Sequence, residues 1–338
     1  NVKMGLIDGL FYKNHSDLNF KSTYNNKTPE VNNAYGAHGT HVAGTMAAKF
    51  DNKTGIAGVN PNNTLYGFSM YGKSNEKLAK MNNSIIEWKC ALALLIGNHN
   101  RVINISMGGG NNSDKATEVM GDFLNKLLDK NKGYDFDFLI VKSAGNTYTD
   151  AFENHFLTKI TATPAKDHII VVGAIGLKKD ADNKLLKDSN GNIILGNNYY
   201  KYRIIFDDNN NISGGSNYGS RVDIVAPGSD IYSTAVGENA YMSMGGTSMA
   251  APHVSGVAGM IYSVNPELRG DQVKAIIKET AGIGIKCLAD NNEYKLLDAQ
   301  KAVAKALGED GDYEETEEVI LMGSLTVKDK MISNQKID

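Results

Sequence analysis

Gly245-Gly246-Thr247-Ser248-Met249-Ala250-Ala251-Pro252-His253 places a pair of hydroxyl side chains among small residues where an apolar, helix-periodic stretch begins. A serine so placed is exposed on a tight turn, and the helix N-terminus behind it supplies unpaired N–H groups and a partial positive charge. That is how a nucleophile is presented. Taken alone, Gly-Thr-Ser reads better as a helix cap, because Ser and Thr favour that position. What overturns the capping reading lies upstream.

Tyr35-Gly36-Ala37-His38-Gly39-Thr40-His41-Val42-Ala43-Gly44-Thr45 sets a histidine at the mouth of a second helix of small residues, which neighbouring elements can approach closely. A hydroxyl is a weak nucleophile without a base, and histidine titrates near neutrality. His38 and His41 have no neighbouring carboxylate and lack a zinc-motif pattern, which argues against a metal pair. The base needs an orienting carboxylate, and Val2-Lys3-Met4-Gly5-Leu6-Ile7-Asp8 is an apolar strand ending on one. Three more strand-like runs end on polar or glycine-rich segments: Arg101–Ile105 before Ser106-Met107-Gly108-Gly109-Gly110, Phe138–Lys142 before Ser143-Ala144-Gly145-Asn146, and Ile169–Val172 before Gly173. In parallel α/β sheets, functional groups gather beyond such strand ends.

The segments Leu6-Ile7-Asp8, His38–Thr45, Ser143–Asn146 and Gly246–Val254 resemble the motifs of the subtilisin-like serine proteases, in that family's chain order of Asp, His and Ser. The resemblance covers residues 2 to 307. It implies Ser248 as nucleophile, His38 as general base and then acid, Asp8 as the carboxylate orienting His38, and Asn146 as a donor in the oxyanion hole. It further implies that Ser106, Met107 and Gly108 pair with an extended peptide or protein substrate. The expected activity is serine endopeptidase through an acyl-enzyme. A catalytically inactive peptide-binding module on the same scaffold is the competing reading, and degenerate copies generally lose a residue that this chain retains. The resemblance alone favours a secreted or cell-surface protein.

The chain departs from the family's pattern after Asp8 and in an insertion between Gly173 and Asn217. Asp8 is followed directly by Gly9 instead of Ser or Thr, which removes one hydroxyl from the carboxylate's surroundings. His15-Ser16-Asp17-Leu18 resembles the family's His-Pro-Asp-Leu, whose aspartate often helps bind a structural Ca²⁺ together with a following loop. Here Asp17, Asp51 and Asn52 are the candidate ligands, with Lys53 as an unfavourable charge among them. No cofactor is expected for the chemistry itself.

Alternation of strands near 2–8, 64–70, 101–106, 137–143, 169–175 and 222–226 with helices near 38–49, 76–98, 113–130, 249–264, 270–281 and 297–307 predicts a three-layer α/β/α fold with a mostly parallel central sheet. One peptidase domain is expected over 1–307, with a surface hairpin inserted at 176–214. An acidic linker and the start of an appendage are expected at 308–338. Asp180, Asp182 and Asp188 in the insertion miss the EF-hand spacing and read as a solvated turn. A net charge of −3 without a basic stripe gives no support for nucleic acid as a partner. No apolar run approaches the roughly twenty residues that span a bilayer. Two cysteines, Cys90 and Cys287, are too few for a disulfide framework, and Cys90 is expected to be buried. Since Asn1 falls almost inside a strand, a processed form or fragment without its pro-segment is expected.

Overall fold

Strand runs such as Val102–Ile105 and Leu139–Ser143 are buried at every position, the pattern of parallel strands covered on both faces. The computed structural model describes residues 2–30, 34–61, 63–72, 84–108, 113–132, 136–177, 195–199, 215–287 and 290–309. In chain order its elements begin β1 (Lys3–Asp8), β2 (Phe20–Tyr24), α1 (Ala34–Ala47), β3 (Thr64–Ser69), α2 (Ile85–Gly97), β4 (Val102–Ile105), α3 (Asp114–Leu127) and β5 (Leu139–Ser143). A short helix α4 (Phe156–Lys159), β6 (Ile169–Leu177), β7 (Leu195–Tyr199), β8 (Ile224–Pro227), β9 (Ile231–Thr234) and β10 (Tyr241–Met244) follow. The described chain closes with α5 (Thr247–Val264), α6 (Gly270–Glu279), a small hairpin of β11 (Gly284–Lys286) and β12 (Glu293–Lys295), and α7 (Ala299–Leu307).

Among the described residues the main sheet has eight strands in the order β2-β3-β1-β4-β5-β6-β7, with β8 also beside β6. Every pairing is parallel except β6 with β7. The order reverses at β1, which lies between β3 and β4, so a crevice opens beyond the carboxyl ends of β1 and β4. Side chains alternate across the sheet: Met4 and Leu6 join the core beneath α1, α5, α6 and α7, while Ile7 joins the core beneath α2 and α3. Helix α5 is buried along nearly its whole length, as expected of a central helix apolar on all sides.

The expected α/β/α architecture is therefore present, with shifts in detail. Helix α1 begins at Ala34 and runs through Gly36, so His38 lies inside the helix and not at its mouth. The described part of the expected 76–98 helix starts at Ile85, where the Ser84 hydroxyl caps it by accepting from the Glu87 N–H. The insertion contributes β7, which pairs antiparallel with the end of β6 and extends the main sheet. Its remainder, including Asp180, Asp182 and Asp188, lies outside the described residues, as does the acidic segment beyond Glu309. Cys90, expected in the interior, is only half-buried, whereas Cys287 is buried.

Trp88, the sole tryptophan, is fully buried in α2 with its ring edge-on to His155 and Phe156 at 5.0 and 5.4 Å. Native emission should be that of a water-excluded indole and should shift to the red on unfolding. Trp88→Ala should cost about 3–5 kcal/mol in a denaturant titration.

Candidate active site

The last residue of β1, Asp8, is 1% exposed, and its Oδ1 lies 2.7 Å from His38 Nδ1. The Gly9 N–H donates to the same oxygen at 2.7 Å. Helix α1 reaches this turn because residue 39 has no side chain: a Cβ there would stand 2.3 Å from the Leu10 carbonyl oxygen. Burial by itself lowers the His38 pKa, but the Asp8 charge and hydrogen bond outweigh it and hold the ring above its ordinary value of 6.5. Its neighbour His41 is structural. The His41 Nε2 meets the carbonyls of Ile231 and Met242 at 2.8 and 3.1 Å, joining α1 to β9 and β10, and burial holds its pKa down at about 4.

Ser248 is the second residue of α5, and Gly246 before it turns with φ 135°, a conformation L side chains rarely adopt. Asn146, beyond β5, accepts from the Thr247 N–H at 2.9 Å and the Thr247 hydroxyl at 3.0 Å. Because a backbone N–H can only donate, the atom facing it is Oδ1, and the amide nitrogen faces away from Thr247. Thr247 Oγ1 in turn accepts from the Gly145 N–H at 3.1 Å. Thr247, which reads from the sequence as a cap, thus links the β5 loop to the start of α5. In the first helical turn the Ser248 N–H has no intrahelical acceptor.

The Ser248 hydroxyl donates to the Ser106 carbonyl at 3.0 Å, not to His38, and the Ser106 hydroxyl donates to the Ser248 carbonyl at 2.8 Å. Asn104 Nδ2 donates to Ser106 Oγ at 2.9 Å, and Ser255 Oγ to Asn104 Oδ1 at 2.8 Å. Neither Asn104 nor Ser255 was anticipated as part of the site. The signal was a polar residue in the otherwise apolar strand Val102-Ile103-Asn104-Ile105 and a serine in the apolar stretch of α5. Met107 is nearly buried, while Gly108 is exposed, with open space where a Cβ would stand.

The model of the subtilase family matches residues 1–312. The chain is 32% identical over 283 residues to subtilisin DY of Bacillus licheniformis, covering 83% of this chain and 84% of that protein. It is 30% identical over 285 residues to a subtilisin of Bacillus pumilus, with coverage of 83% and 84%. A solved protease of Pseudoalteromonas arctica superposes with TM-score 0.61 at 23% identity, covering 90% of each chain. The chain belongs to the subtilase family. Family and relatives support serine-protease function, which implies peptide or protein substrates.

Within this subtilase, the two oxygens of the Asp8 carboxylate are not equivalent. Oδ1 takes both hydrogen bonds, and Oδ2 is buried without a partner among the described residues. The Asp17 region does not fit a calcium ion. The Asp17 carboxylate is buried and accepts from Asn52 Nδ2 at 2.7 Å, the Ile56 N–H at 3.0 Å and the Tyr241 hydroxyl at 3.2 Å. Asn52 Oδ1 is turned away to accept from the Thr54 N–H, and Asp51 is exposed at φ 58°. The Lys49 ammonium adds positive charge close by, 2.6 Å from the Ser16 carbonyl. Protein donors thus hold the Asp17 carboxylate, and Asn52 presents its amide nitrogen to it where a hard cation would require oxygen.

By NMR, His38 should titrate above 6.5, and Asp8→Asn should drop it below 6.5, since burial then acts unopposed. The pair's contribution to stability is full below the ordinary 6.5 and is lost as pH rises through the raised value. A titration unmoved by Asp8→Asn would contradict this electrostatic origin. At the Asp17 clamp, EDTA should leave Tm unchanged, whereas Asp17→Ala should cost about 2 kcal/mol or more by stranding its donors.

Proposed function

We propose that the chain is a serine endopeptidase that forms an acyl-enzyme on Ser248. An extended peptide pairs its backbone with Ser106, Met107 and Gly108, where β4 has ended and edge groups are open to augmentation. A rotation of Ser248 between staggered χ1 wells moves its hydroxyl from the Ser106 carbonyl to His38 Nε2. His38 accepts the proton as Oγ attacks the scissile carbonyl, and Asp8 holds the Nδ1–H tautomer and stabilises the imidazolium. The developing oxyanion takes hydrogen bonds from Asn146 Nδ2 and the Ser248 N–H. His38 then protonates the leaving amine and afterwards activates the water that releases the acyl group. Asp8 and His38 at 2.7 Å carry this reading, because the pair supplies a histidine whose tautomer is set by a buried carboxylate. Buried His253, donating from Nδ1 to the Met249 carbonyl and held at about 4, stays neutral and outside the proton traffic.

A fluorophosphonate probe should label Ser248, with peptide mapping placing the adduct, and Ser248→Ala should abolish both labelling and peptide cleavage. Folded protein that binds an extended peptide yet takes no label would instead be a binding module. Asn146→Ala should lower kcat by about 10²–10³, the magnitude known for this type of donor from subtilisin itself, with a much smaller effect on KM.

A further inference from the structure

Pro252 stands four residues after Ser248 within α5. In an α-helix the carbonyl of residue 248 accepts from the N–H of residue 252. Proline has no N–H, and its ring crowds that same carbonyl outward. The carbonyl of the reacting residue is thus deprived of its helical donor within a buried environment, where an unmet acceptor is costly. The Ser106 hydroxyl fills the vacancy at 2.8 Å.

We infer that Ser106 is a positioning residue for the nucleophile, its hydroxyl replacing the helix bond that Pro252 deletes. This rests on Ser248 being the nucleophile. The direction of the bond is fixed from behind. Ser255 Oγ donates to Asn104 Oδ1, and Asn104 Nδ2 donates to Ser106 Oγ, which leaves the Ser106 proton for the Ser248 carbonyl. Asn104, Ser106 and Ser255 are at most 2% exposed, so these bonds are shielded from competing solvent. The circuit leaves α5 at Ser248, crosses to the end of β4 and returns to α5 two turns later at Ser255. Ser106 also holds the resting Ser248 hydroxyl on its carbonyl. The residue at the head of the peptide-binding segment therefore fixes both the backbone and the side chain of Ser248, so a displacement of one is felt by the other.

A double-mutant cycle tests the substitution of one donor for another. Rates of Ser248 acylation by a fluorophosphonate, and kcat and KM on a peptide substrate, would be measured per mole of native protein for wild type, Ser106→Ala, Pro252→Ala and the double variant. Ser106→Ala should slow acylation and kcat about ten- to a hundred-fold, with KM moving less. Pro252→Ala restores an N–H to residue 252, so in that background the loss of the Ser106 hydroxyl should cost no more than two- to three-fold. Equal losses in both backgrounds would overturn the inference. A second comparison is independent of the proline: Ser106→Thr should react close to wild type and Ser106→Val at least ten-fold more slowly, and equal rates would overturn the role of the hydroxyl. Wild-type protein that is not acylated at Ser248 would remove the nucleophile assignment itself, a failure distinct from an additive cycle on labelled enzyme.

Discussion

The 2.7 Å contact between the Asp8 carboxylate and the His38 ring ties the end of β1 to helix α1, and the rest of the site is arranged around that tie. Three features of the fold make it attainable. The strand order reverses at β1, which leaves its carboxyl end open to the crevice. Glycine at 39 lets α1 come within backbone distance of the turn after β1. His41, one helical turn on, binds two carbonyls of the β9–β10 ribbon and stops α1 from rotating away. Among the described residues one carboxylate oxygen receives both donors and the other has none.

The start of α5 is organised by the same economy. Asn146 is orientated by accepting from Thr247, and Ser248 has its carbonyl held by Ser106. In the proposed mechanism these groups are in place before any substrate arrives. Preorganised dipoles need no reorganisation as charge develops, which is where such sites gain most of their effect. Pro252 belongs to this organisation: a helix with a full set of internal bonds would have no unmet carbonyl to offer the β4 segment. The Asp17 clamp follows related logic elsewhere, with an amide, a backbone N–H and a phenol converging on one buried carboxylate.

The α/β/α order, the parallel strands and the residues near the crevice were legible in the sequence because each signal is local. Apolar runs of four to six residues ended on Asp8, Ser106 and Ser143, and helical periodicity resumed after glycine or small-residue clusters. The start of α1 was misread because small residues carry no start signal of their own. The β9–β10 ribbon escaped notice because its strands are only four residues long and β10 is largely exposed. Asn104 and Ser255 were visible as polar residues in apolar elements, but their partnership crosses 151 positions of sequence. Pairings of that kind follow from the register of strands and helices, which no single segment encodes. The hydrogen-bonded state of Asp17 was likewise hidden, since Asp and Asn suit both a cation and a set of protein donors.

The central claim is that Ser248, His38, Asp8 and Asn146 act together on a carbonyl carbon presented along Ser106–Gly108. A crystal structure of the protein with a peptide boronic acid addresses all of these at once. The claim predicts boron bonded to Ser248 Oγ, one boronate oxygen about 2.7–3.1 Å from both Asn146 Nδ2 and the Ser248 N–H, the His38–Asp8 contact intact, and the peptide backbone paired with Ser106–Gly108. A boronate bonded to another residue, or one whose oxygen turns away from Asn146 while the peptide lies elsewhere, would contradict it.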